Sequence, residues 1–141
     1  MQFTKAVVDA SVAVKWFSPE IHALEAERFL EAAHKGLLTL YAPSLLLYEL
    51  GNALGKGKRF SGENIVIALG VLFNSPIEFV PPTTVLMQAA VRMMTTYHLT
   101  FYDATYGALA YSLGVPLITA DPKDQGKIKE IRVVNLADVK K

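Results

Sequence analysis

Short apolar segments alternate along this chain with longer segments of helical spacing. That alternation constrains the fold more than any other feature. Strands are expected over residues 3–8, 37–42, 77–80, 115–119 and 132–136. Helices are expected between them. The first covers residues 10–17. The second starts at Ser18-Pro19-Glu20, which combines a hydroxyl cap, a proline in the first turn and an acid at the positive end of the helix dipole. It runs to about Lys35, with Gly36 at its end. The third opens at Pro43-Ser44 and runs through Leu54, with Gly55 and Gly57 closing it. Ser61 caps a helix through Phe73, and Thr83 or Thr84 caps one to about Tyr97. A last helix covers residues 102–113, before Gly114. Strands alternating with helices imply parallel β-α-β units. Val7-Val8 and Leu117-Ile118 are apolar without alternation, as in strands covered on both faces. The expected fold is therefore α/β: a three-layer α/β/α sandwich around a central, mostly parallel sheet.

Composition narrows the classes of function. The 141 residues suit a single domain over 1–141, and 52% hydrophobic against 19% charged residues predicts a buried core. Fourteen basic and 13 acidic side chains leave a net charge of +1, which disfavours nucleic-acid binding by bulk charge. With no cysteine, disulfide scaffolds, thiolate zinc sites and cysteine nucleophiles are excluded. The apolar stretch 37–50 is too short for a membrane span and is broken by Pro43 and Glu49. The N-terminus lacks the pattern of a signal peptide, so a cytoplasmic location is expected.

In sheets of this kind ligands bind beyond the carboxyl ends of the strands. Asp9 follows Ala6-Val7-Val8, and Asp121 follows Leu117-Ile118-Thr119-Ala120. Two more acids lie in apolar helical surroundings: Glu49 within Leu45-Leu46-Leu47-Tyr48-Glu49-Leu50, and Asp103 after Phe101-Tyr102. Each has a structural explanation of its own. Asp9 and Asp103 could stabilise helix starts, Glu49 could pair with a cation, and Asp121 could hold a turn with Pro122. Taken together, four carboxylates at one end of a sheet repel one another, and a divalent cation relieves that repulsion. Hard oxygen ligands suit magnesium or manganese. His22, His34 and His98 show no zinc-ligand spacing.

Four blocks in order carry a resemblance. They are Val8-Asp9-Ala10-Ser11-Val12-Ala13-Val14-Lys15-Trp16-Phe17, Pro43-Ser44-Leu45-Leu46-Leu47-Tyr48-Glu49-Leu50-Gly51-Asn52-Ala53-Leu54, Leu99-Thr100-Phe101-Tyr102-Asp103-Ala104-Thr105-Tyr106-Gly107-Ala108-Leu109-Ala110, and Leu117-Ile118-Thr119-Ala120-Asp121. Over nearly its whole length the chain resembles the PIN-domain ribonucleases, in particular the VapC-type toxins of toxin–antitoxin pairs. The resemblance implies a PIN-like fold, a Mg²⁺-dependent endoribonuclease, a homodimer and inhibition by a cognate antitoxin. It carries the acidic ligands over to Asp9, Glu49, Asp103 and Asp121. Ser11 and Thr119 match the family's hydroxyls beside the first and last acids and are expected to orient carboxylates or waters. Asn52, on the Glu49 face of its helix, resembles the family's polar neighbour of the second acid, or else makes a packing hydrogen bond. Gly107 departs from the larger apolar residue usual there and is expected to loosen local packing. Asp124 either adds a carboxylate or faces solvent, with solvent favoured.

The implied chemistry is metal-assisted phosphodiester hydrolysis. For holding RNA, the candidates are Lys56, Lys58 and Arg59 after the Glu49 helix, and Lys15 with Trp16 one turn beyond Asp9. The lysine cluster is otherwise a solvated helix end, and Trp16 is otherwise core or dimer interface. Residues 10–17 and the helix over 61–73 are expected to wall an antitoxin groove. The alternatives are a stand-alone RNA-processing nuclease and a non-catalytic α/β binding or signalling module. A phosphoacceptor receiver wants paired acids after the first strand, and a haloacid-dehalogenase-like phosphatase wants an aspartate where this chain has Ser11.

Overall fold

A computed structural model describes residues 2–139. Five strands form one parallel sheet: β1 (Lys5–Val8), β2 (Thr39–Pro43), β3 (Glu78–Val80), β4 (Leu117–Thr119) and β5 (Val133–Asn135), in the order β3-β2-β1-β4-β5. Helices cover both faces. Ala6, Val7 and Val8 of β1 and Leu117, Ile118 and Thr119 of β4 are fully buried, so neither strand has a wet face. This is the expected α/β/α sandwich. The chain adds β2 and β3 on one side of β1, then crosses to place β4 on the other. The gap between the carboxyl ends of β1 and β4 is thus the sheet's switch point, the place where such folds bind ligands.

The helices are α1 (Ala10–Ala13), α2 (Ala23–His34), α3 (Leu45–Asn52), α4 (Gly62–Phe73), α5 (Thr84–Tyr97), α6 (Phe101–Leu113) and α7 (Pro122–Gln125). Several starts match their expected caps: Ser61 accepts from the Asn64 amide, and Thr83 from that of Leu86. Helix α6 begins one residue earlier than expected, because the Thr100 side chain caps it by accepting from the Asp103 amide. Gly36 and Gly114, at φ +73 and +67, end α2 and α6 in the left-handed conformation.

Three expectations need correction. Helix α2 does not start at Ser18-Pro19-Glu20 but at Ala23, after His22 at φ 65. Glu20 serves elsewhere: its carboxylate pairs with Lys15 at 3.2 Å and Lys58 at 2.9 Å, tying the segment after α1 to the end of α3. Gly55 does not close the third helical run, which ends only at Gly57. The chain widens into a π turn over Ala53–Gly57, with the Lys58 amide on the Ala53 carbonyl at 3.0 Å. Ile65 of α4 sits 3.3 Å from where a Cβ on Gly55 would lie, so that glycine admits a neighbouring helix. Gly107 does not loosen packing either. A Cβ there would stand 2.4 Å from Ile128 Cδ1, so the missing side chain seats a buried isoleucine.

Candidate active site

Asp9 leaves β1 and caps α1 through its own side chain, which accepts from the Ser11 amide at 3.0 Å. The Ser11 hydroxyl donates to the same carboxylate oxygen at 2.5 Å and accepts from the Ala120 amide at 2.8 Å. Thr119, fully buried at the end of β4, accepts from the Asp121 amide at 3.0 Å and lies 3.3 Å from the Ser11 hydroxyl. The Thr119 side chain also hydrogen-bonds the Asp9 carboxylate. A chain of hydroxyls thus links the backbone of Asp121 to the carboxylate of Asp9 across adjacent strand ends.

Glu49 comes from α3. Its Oε1 accepts from the Tyr106 hydroxyl at 2.6 Å, and Tyr106 is buried in α6. Asp103 sits in the first turn of α6, and Asp121 precedes α7. All four acids line one pocket of about 180 Å³ with Ser11, Tyr106, Asp124 and Gln125. Asp124, expected to face solvent, lines this pocket and also pairs with Lys127 at 3.4 Å. Sequence reasoning misses Tyr106 and Gln125. Tyr106 lies three residues after Asp103, on the same face of a helix, and that spacing is the signal that could find it. Gln125 has no such signal.

The electrostatics are those of carboxylates crowded away from water. Burial pushes Asp9 up to about 6 against its Ser11 and Thr119 hydrogen bonds. Burial raises Glu49 too, with Asp103 adding to it and Tyr106 opposing. Asp103 is raised by burial and then by Asp124 and Asp121. Tyr106 is pushed well above its ordinary value by burial and by Glu49, so it stays a proton donor. Among the described residues, none that lines the pocket is basic. The all-oxygen donors therefore fit a hard divalent cation. As the side chains stand, no three acids or histidines among the described residues are gathered closely enough to hold an ion. Asp9 and Glu49 are turned onto the hydroxyls of Ser11 and Tyr106 instead.

A wider groove of about 590 Å³ adjoins the pocket and shares Ala10, Ser11 and Glu49 with it. Asn52 lines this groove and not the acidic pocket. Its walls are α1, Val14, α3 and Tyr102. Helix α4, expected as a wall, is not among them, and it exposes Val66, Ile67, Val71 and Phe73. Lys56 and Arg59 are exposed, and Lys58 keeps 35% of its side chain exposed beside Glu20. Lys15 is only 7% exposed, and its ammonium is held by Glu20. This corrects its expected role as a phosphate contact. Trp16 donates to the Ala26 carbonyl at 2.8 Å and packs against the core.

The PIN domain family model matches residues 6–131. The chain belongs to the PIN domain family. A comparison with curated proteins gives no significant match. Among solved structures, this PIN domain is similar to a toxin–antitoxin complex from Klebsiella pneumoniae, with 20% identity, 95% of this chain and 99% of that one covered, and a TM-score of 0.67. It is similar to PAE2754 from Pyrobaculum aerophilum, with 27% identity, 93% and 84% covered, and a TM-score of 0.67. It is also similar to VapC20 of Mycobacterium tuberculosis, a toxin that cleaves the sarcin–ricin loop, with 17% identity, 90% and 98% covered, and a TM-score of 0.71. Among the described residues, no helix of this PIN domain is long and apolar enough to cross a membrane.

Proposed function

We propose that this PIN domain is a Mg²⁺-dependent endoribonuclease, with Mn²⁺ an alternative ion, and the toxin of a VapBC-type pair acting in the cytoplasm. The observation that carries the reading is the single pocket at the sheet's switch point, walled by acids from separate segments of the chain. Asp9, Glu49, Asp103 and Asp121 would hold the cation. Once bound, the ion would polarise the scissile phosphate and make a water acidic enough to attack it. Ser11 and Thr119 fix the Asp9 carboxylate and the Asp121 backbone in relation to each other. Tyr106 fixes one oxygen of Glu49. Lys56, Lys58 and Arg59 meet the RNA backbone, and Asn52 faces substrate entering along the groove. The antitoxin occupies that groove, a placement supported by its continuity with the acids and by fold similarity to toxin–antitoxin complexes. A second copy completes a homodimer.

Incubating the purified chain with a cellular RNA pool, in Mg²⁺ or in excess EDTA, tests the activity. Cleavage in Mg²⁺ that stops in EDTA is expected. Intact RNA in the presence of folded, cation-loaded protein would overturn the reading.

A further inference from the structure

Gln125 stands apart among the polar groups of the acidic pocket. It is 1% exposed, and both its Oε1 and its Nε2 lack a hydrogen-bond partner among the described residues. A buried amide left in this way is costly, and native proteins rarely keep one without use for it. The neighbouring hydroxyls are already committed, Ser11 to Asp9 and Tyr106 to Glu49. Gln125 is the lining side chain that keeps a donor and an acceptor unspent. Its backbone is not free to move the amide elsewhere. The Gly126 amide bonds to the Pro122 carbonyl at 2.7 Å, and the Ile128 amide bonds to the Gln125 carbonyl at 3.1 Å. Ile128 is itself wedged over Gly107. An apolar side chain of equal length would fill the same space without the polar cost.

We infer that Gln125 is a positioning residue whose buried carboxamide is reserved for the hydration shell of a cation held by the acids. The inference rests on the cation-binding reading of the pocket. A hydrated ion offers water protons to Oε1 and water oxygens to Nε2, so it satisfies both atoms at once.

Gln125→Met keeps the length and removes both polar atoms. Two readouts test it: thermal unfolding of the cation-free protein, and Mn²⁺ binding followed by electron paramagnetic resonance. Cation-free Gln125→Met is expected to melt at or above the wild-type temperature, because no hydrogen bond is lost. It is expected to bind Mn²⁺ at least tenfold more weakly and to gain less thermal protection from the ion. Wild-type Mn²⁺ affinity in Gln125→Met would overturn the assignment of Gln125 alone. A wild-type chain that binds no Mn²⁺ would overturn the reading of the pocket, and the inference with it.

Discussion

Asp9 shows how a single residue can set stability against function. Burial raises its pKa from 3.8 to about 6, so between those values the folded chain holds a proton that the unfolded chain releases. This contribution is full below about pH 4 and is lost as pH rises through 6. Each pH unit between the two values is worth ~1.4 kcal/mol. Asp9→Asn keeps the acceptor oxygen and removes the charge. Without cation at pH 7.5 it should be more stable than wild type by on the order of 2–3 kcal/mol, with the gap closing towards pH 4. Urea unfolding at the two pH values checks this. Tyr106 offers a complementary case. Tyr106→Phe removes the hydroxyl on Glu49, with an expected loss of ~1–2 kcal/mol in stability and roughly tenfold in cleavage rate. Single-turnover cleavage measures the second effect.

At the level of elements, contacts between segments decide features that local signals misread. Ser18-Pro19-Glu20 carries every local mark of a helix start, yet Glu20 is held by lysines from two other segments. Together those lysines hold Glu20 below its ordinary pKa, although burial opposes them. Glu20→Ala would strand the buried Lys15 ammonium and should cost about 2–4 kcal/mol, read from the denaturation midpoint. Gly107 lies in a helix interior, where its identity looks like a defect until Ile128 is placed against it. Gly107→Val should cost on the order of 2–3 kcal/mol by overpacking that contact, and should shift α7 with its Asp124 and Gln125. Thermal unfolding of the variant checks the cost. The π turn at Ala53–Gly57 belongs to the same class, because its glycine admits Ile65 from α4.

The whole molecule explains why some of it is legible in the sequence and some is not. The parallel sheet can be read because β1 and β4 are buried on both faces, which leaves continuous apolar runs. Asp9, Glu49, Asp103 and Asp121 can be read because each interrupts apolar surroundings at a strand end or on a helix. Gln125 gains its place only when α7 is brought beside the other acid-bearing segments, so no local pattern announces it, whereas Tyr106 is hinted at by its spacing from Asp103. Lys15 misleads for the same reason, since its partner lies beyond the helix that carries it. At this scale the proposed homodimer has a direct test. Analytical ultracentrifugation at micromolar concentration should give twice the chain mass of 15.5 kDa. A monomer there would remove the dimer from the account.

Acids from four separate segments are proposed to act as one cation site. Calorimetric titration of the cation-free chain with Mg²⁺ at pH 7.5 tests it most directly, with Asp9→Asn and Asp103→Asn measured alongside. Saturable binding by the wild type, weakened at least tenfold in each variant although the two residues lie far apart in the sequence, is the predicted result. Equal affinity in all three proteins would contradict the account, because the ion would then be bound somewhere other than this pocket.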